Sequence, residues 1–264
     1  MIRIAIAAAL LLLPAGIAQA EPKDPPPLPA KVFNAESKTL KNGMQVVVIP
    51  NHRAPVVMHM VWYKVGRADE PAGISGIAHF LEHLMFKGSG DLKPGEFSEV
   101  IRKLGGEDNA FTSQDYTAFH ETVSVDHLAQ VMRMEAGRIR GLHPPADHVA
   151  SEHEVIMEER RQRTDNDPRA RFQEQISAAL FVNHPYNTPV IGWMREMQDL
   201  NWDMAKAFYD RWYGPNNVIV VVSGDVAPAQ VFKMAEAIYG PLKPGSLPPR
   251  QRTQSPPLPG EIAL

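Results

Sequence analysis

Gly73-Ile74-Ser75-Gly76-Ile77-Ala78-His79-Phe80-Leu81-Glu82-His83-Leu84-Met85-Phe86-Lys87-Gly88-Ser89 is the stretch whose reading decides this 264-residue chain. Ile74, Ile77, Ala78, Leu81, Leu84 and Met85 recur at helical spacing, which predicts a helix beginning near Gly73 to Ser75 and ending before Gly88. His79 and His83 then stand one turn apart on the border of its apolar face. Two imidazoles so placed can share one metal ion, and imidazole is a favoured ligand for zinc. Glu82 lies beside the pair, where a carboxylate can take a proton from a water activated by the ion. The order H-x-x-E-H reverses the H-E-x-x-H of the zincins. The plainer alternative is a surface turn carrying two unrelated histidines. Their border position argues against it, because partly buried imidazoles need a partner.

A zinc site of this kind needs a third protein ligand and leaves a fourth position open. Candidates lie in Ser151-Glu152-His153-Glu154-Val155-Ile156-Met157-Glu158-Glu159-Arg160-Arg161, which fits a helix with one apolar stripe. Glu152 and Glu159 are two turns apart and point the same way, whereas Glu154 and Glu158 share another face. His153 is a further contender. Periodicity alone does not choose among them, and most of these carboxylates read as a solvated face paired with Arg160, Arg161 and Arg163.

The whole of Gly73–Ser89 resembles the signature of the inverzincin metallopeptidases of the pitrilysin class, which includes pitrilysin, insulin-degrading enzyme and the mitochondrial processing peptidase. Asn109-Ala110-Phe111-Thr112 is similar to the substrate-facing strand of that family. His184-Pro185-Tyr186 and Tyr213-Gly214-Pro215-Asn216-Asn217 look like its later landmarks. The likeness covers residues 34–240 and is strongest to bacterial members related to the processing peptidase. It implies one Zn2+ held by His79, His83 and Glu159, with Glu82 as general base and Glu152 supporting a ligand from behind. Glu159 fits because it stands 76 residues after His83 and seven after Glu152. It also implies an extended peptide substrate added to a sheet edge near Asn109 and Ala110. On sequence alone, a turn residue is the simpler reading of Asn109.

The chain ends read differently from its middle. Arg3, the apolar run Ile4 to Leu13 and Ala18-Gln19-Ala20 form a secretory signal peptide over 1–20. The run is short for a membrane span, and none of spanning length follows, so no membrane span is expected in the mature chain. The protein is expected to be exported, and periplasmic if the host is Gram-negative. Residues 21–33 are a proline-rich spacer, 34–240 the catalytic domain, and 241–264 a second proline-rich segment reading as a linker. The family usually carries a second, related half. The expected partners are therefore a peptide and a homologous second half or partner subunit.

Composition removes other classes. With no Cys, disulfides, thiolate ligands and a cysteine nucleophile are excluded. Lys+Arg of 27 against Asp+Glu of 30 gives a net charge of −3, without the basic excess a nucleic-acid surface needs.

The fold class expected is α+β, with helices layered on a mainly antiparallel sheet. Strands are predicted at Met44–Ile49 and Val56–Val65, as an antiparallel pair, at Ala110–Thr112 and Tyr116–Val123, and as a fully buried strand at Val218–Ser223. Helices are predicted over 97–104, 126–139, 147–163, 172–181, 202–213 and 231–239. Phe111, Tyr116 and Phe119 read as core aromatics, and the remaining histidines, His59 among them, receive no role. The function expected is zinc-dependent endopeptidase. A non-catalytic structural or assembly subunit of the same family is the alternative.

Overall fold

A computed structural model describes residues 33–250. Six strands make one sheet: β1 Glu36–Thr39, β2 Gln45–Pro50, β3 Val56–Tyr63, β4 Glu107–Thr112, β5 Thr117–Ser124 and β6 Val218–Gly224, in the order β1-β2-β6-β3-β5-β4. Four of its pairings are antiparallel, and β2–β6 is parallel. The class is the α+β layering expected.

Period-two alternation explains how the sheet faces are divided. Val57, Val61 and Tyr63 of β3 and Val218, Val220 and Val222 of β6 are buried, while Met58, Trp62, Ile219 and Val221 turn to the other, more open face. The expectation of a fully buried β6 is therefore corrected to a strand buried on one face. The expected β2–β3 pair is corrected too. The two run antiparallel, but β6 lies between them, pairing with both. Residues 51–55 can bridge that gap: two strand spacings are about 10 Å, well within the reach of five residues. The apolar β6 gains two hydrogen-bonded neighbours by taking the central place.

The helices are α1 Ile77–Leu84, α2 Glu96–Lys103, α3 Leu128–Arg140, α4 Ala146–Arg160, α5 Pro168–Leu180, α6 Met194–Met197, α7 Trp202–Trp212 and α8 Pro228–Ile238, of which α1, α2, α3 and α8 pack against the strands. Strand β1 and helix α6 were not foreseen, both being too short to show periodicity. Helix α4 runs into a π-helical turn at Arg161–Asp165, and Asp167 caps α5 by accepting from the amides of Arg169 and Ala170. Asp165-Asn166-Asp167 thus ends one helix and starts the next.

Helix α1 is buried on nearly all sides, by Ile77, Ala78, Phe80, Leu81 and Leu84. Its N-cap, Gly76, has φ 90° and offers no side chain. Glu70 supplies the missing cap from outside the helix: its two oxygens accept from the amides of Gly76 (3.0 Å) and Ala78 (2.9 Å). Gly76 also lets the loop at 189–193 approach, since a Cβ there would lie 2.6 Å from the Ile191 carbonyl oxygen. Gly192 answers it, as its own Cβ would meet Ser75 O at 2.5 Å.

A buried ionic cluster ties α3 to the sheet. Arg138, fully buried, stacks over Phe97 at 3.7 Å and reaches Glu135 at 2.8 Å and Glu121 at 3.6 Å. His59, unassigned from sequence, belongs to this cluster. Its Nδ1 donates to Glu121 (3.0 Å), and the Tyr239 hydroxyl lies 2.9 Å from its Nε2. Burial holds His59 down at about 4 and pushes the Glu135 carboxyl well up.

Residues 241–250 form neither helix nor strand. Asn216 exchanges two hydrogen bonds with Gly245, and Arg250 reaches Asp69 at 3.2 Å. The expected signal peptide, most of the expected spacer and the rest of the expected linker lie outside the described residues. No helix among the described residues is long and apolar enough to cross a membrane.

Candidate metal centre

Two helices and one edge strand bring the candidate residues together. Helix α1 presents His79, Glu82 and His83, α4 crosses it with Glu152 and Glu159, and β4 closes one side as the outermost strand. His79, His83 and Glu159 each offer a ligand atom, and these atoms lie within 4.8 Å of one another. Glu159 Oε2 is 3.5 Å from His79 Nε2 and 3.3 Å from His83 Nε2.

Those separations fit a zinc ion. A charge-assisted hydrogen bond closes to about 2.7–2.9 Å, so both contacts are long for one. Ligand atoms at about 2.0–2.1 Å from a tetrahedral zinc stand about 3.4 Å from each other, the spacing found here between Glu159 and each imidazole. The donor set, two imidazoles and a carboxylate with space beside them, is that of a catalytic rather than a closed structural site.

The electrostatics agree. Burial, then the neighbouring His83, holds His79 down at about 4, so that ring is neutral. Burial also opposes charge on His83, but hydrogen bonding to Glu152 and Glu159 outweighs it and lifts the ring to about 9. The carboxylates that stabilise a proton on His83 would equally stabilise a cation in its place. The adjacent His83 ring holds the Glu159 carboxyl below its usual range. Glu152 Oε2 accepts from His83 Nδ1 at 3.1 Å, which turns Nε2 toward Glu159.

Of the other acidic-helix contenders, Glu158 is exposed and pairs with Arg161 and Gln162, and Glu154 is exposed. His153 Nε2 donates instead to the Met197 carbonyl at 2.8 Å.

Glu82 shares a cleft of about 590 Å³ with both histidines and Glu159. Burial pushes its carboxyl up, against a hydrogen bond that the Thr112 hydroxyl donates to it. Asn109, Ala110, Phe111 and Thr112 of β4 form one wall, and Val190 and Ile191 contribute to another. Among the described residues β4 pairs only with β5, so its outer edge is open beside the cleft.

Three aromatic assignments separate. Phe119 is core, whereas Phe111 lines the cleft and Tyr116 is exposed, because β4 and the turn after it lie at the sheet margin. Tyr186 donates its hydroxyl to Asp115 and is not among the cleft-lining residues. Sequence reasoning gave no role in the site to Glu70, Val190 or Ile191, and it placed Lys87 in the motif without a role. Arg163, read only as a surface partner, grips Glu159 Oε1 at 2.8 Å and lines the cleft. Its position four residues after Glu159 was the available signal.

Comparison with known proteins shows what the chain is similar to. Residues 45–193 match the family model described as Insulinase (Peptidase family M16), and residues 199–263 match one described as Peptidase M16 inactive domain. The chain is 39% identical over 209 residues to "Zinc protease PqqE" of Helicobacter pylori, covering 79% of this chain and 47% of that protein. It is 34% identical over 220 residues to "Uncharacterized zinc protease ML0855" of Mycobacterium leprae, covering 81% of this chain and 49% of the other. The chain thus spans about half the length of the curated relatives it matches. A crystal structure of a protease from Helicobacter pylori superposes with a TM-score of 0.77 at 37% identity, covering 85% of this chain and 54% of that one.

Proposed function

The chain belongs to peptidase family M16, and from that premise we propose that it is the metal-binding portion of an exported zinc endopeptidase. The substrates proposed are peptides or unfolded segments. His79, His83 and Glu159 would hold one zinc ion, and Glu152 would fix the ring of His83 from behind. A zinc ion there supplies Lewis-acid polarisation of the scissile carbonyl and lowers the pKa of water.

Glu82 performs the proton transfers. Its carboxylate takes a proton from the attacking water and delivers it to the departing amine nitrogen, and its burial raises the carboxyl above its ordinary range, which makes it a stronger base. Thr112 orients it. The peptide lies extended along the open edge of β4 at Asn109 and Ala110. Backbone pairing provides the grip, and Phe111, Val190 and Ile191 offer apolar contact to side chains.

The observation that supports this most is the convergence of three ligand atoms within 4.8 Å of one another in the same cleft as Glu82. Export is proposed from the N-terminal pattern of Arg3, Ile4 to Leu13 and Ala18-Gln19-Ala20. A homologous second half or partner subunit is proposed from the length of the relatives, and would complete the chamber. The test is cleavage of an unstructured peptide, lost with a chelator and restored by zinc. Cleavage indifferent to the chelator would contradict it.

A non-catalytic subunit is the second reading, favoured by the match of residues 199–263 to the inactive-domain model. A protein that retains zinc yet leaves peptides intact, even with its second half present, would support it.

A further inference from the structure

We propose that Lys87 is a positioning residue for the metal centre, holding Glu152 in the orientation from which it accepts the Nδ1 proton of His83. This rests on the zinc reading above. Lys87 Nζ lies 2.7 Å from Glu152 Oε1, while the other oxygen, Oε2, takes the hydrogen bond from His83 at 3.1 Å. The result is a chain from ammonium to carboxylate to imidazole, ending at the Nε2 that faces Glu159.

Both ends of this chain are anchored. Glu152 is on the buried side of α4, only 8% exposed. Lys87 follows α1 in a turn fixed by its own amide, which donates to the Leu84 carbonyl at 2.9 Å, and by His143, whose amide donates to Gly88 O at 3.1 Å. The terminal torsion of a glutamate is soft, so a carboxylate held through one oxygen can rotate away from its partner. An ammonium on the second oxygen removes that freedom.

Charge balance points the same way. Glu82, Glu152 and Glu159 gather around two imidazoles, and the cations on them are Lys87 on Glu152 and Arg163 on Glu159. The Arg163 side chain is 73% exposed and heavily screened, whereas that of Lys87 is 26% exposed. Lys87 also borders a hollow of about 250 Å³ with Phe86, Asn109 and Ala110, next to the main cleft. A direct contact with substrate is the competing role.

The experiment measures zinc release to a chelator from the full chain and from Lys87→Met, Lys87→Gln, Lys87→Arg, Glu152→Gln and Lys87→Met/Glu152→Gln, together with KM and kcat for an unstructured peptide. Loss of such an outer partner is expected to speed release about ten-fold in Lys87→Met and Lys87→Gln. Lys87→Arg should restore most of the retention, and the double variant should release no faster than Glu152→Gln alone. Lys103→Met, which breaks an exposed pair with Glu99, should behave as the parent. Parental zinc release in Lys87→Met overturns the proposal, as does a raised KM with release unchanged. A parent protein that binds no zinc overturns the metal reading itself, a result separable from the failure of Lys87 alone.

Discussion

The hydroxyl of Thr112, on edge strand β4, donates to the carboxylate of Glu82 on helix α1. One bond thus joins the strand proposed to carry substrate to the group proposed to move the proton. Because this bond lowers the Glu82 pKa against the effect of burial, Thr112→Val should raise it. The acidic limb of the pH–rate profile should therefore move to higher pH. An unmoved limb would assign that limb to another group.

Glu82→Gln keeps the size and polarity of the side chain and removes its basicity. Zinc content should be unchanged while kcat falls about 10²–10⁴-fold, the usual weight of a general base. Metal analysis beside single-turnover cleavage checks both halves.

Glu159→Gln should weaken zinc retention far more than Glu158→Gln, since Glu158 is exposed and engaged with Arg161 and Gln162. Equilibrium dialysis decides the order, and the reverse order would move the third ligand.

The cap on α1 makes a pH prediction. Burial lifts Glu70 to about 8, against the pull of the Ala78 amide and Arg67. From its ordinary value of 4.5 up to that value, the folded chain holds a proton the unfolded chain has lost, so stability from this group declines as pH rises. It is fully present below 4.5 and lost through about 8. The melting-temperature difference between the parent and Glu70→Gln should shift steadily against the parent across that window. A constant difference would mean that Glu70 does not titrate there.

Arg138→Met leaves the buried carboxyl groups of Glu121 and Glu135 without their cation. Breaking such a buried pair costs about 3–5 kcal/mol. Adding Glu135→Gln should recover part of the loss, which denaturant unfolding would reveal.

Legibility in the sequence followed the physics of each feature. The metal motif was readable because ligands four apart on one helix leave a local signature, as His79 and His83 do. Choosing Glu159 over Glu158 was not, since both sit on one acidic helix and only the crossing of α1 and α4 separates them. The family resemblance singled out the residue that the crossing brings inward. Strands β2 and β3 were legible as strands, but not the insertion of β6, a contact between residues more than 150 positions apart. His59 and Arg138 looked like ordinary polar residues, because a buried polar cluster assembled from distant elements carries no local pattern. Glu70 was hidden for the same reason, capping a helix it does not belong to.

The most direct measurement is zinc-edge X-ray absorption on the purified protein. One zinc per chain is expected, bound by two imidazole nitrogens and carboxylate oxygen, with the imidazole signal lost in His79→Ala/His83→Ala. A protein without zinc, or a zinc environment unchanged by that double substitution, would contradict the metal centre.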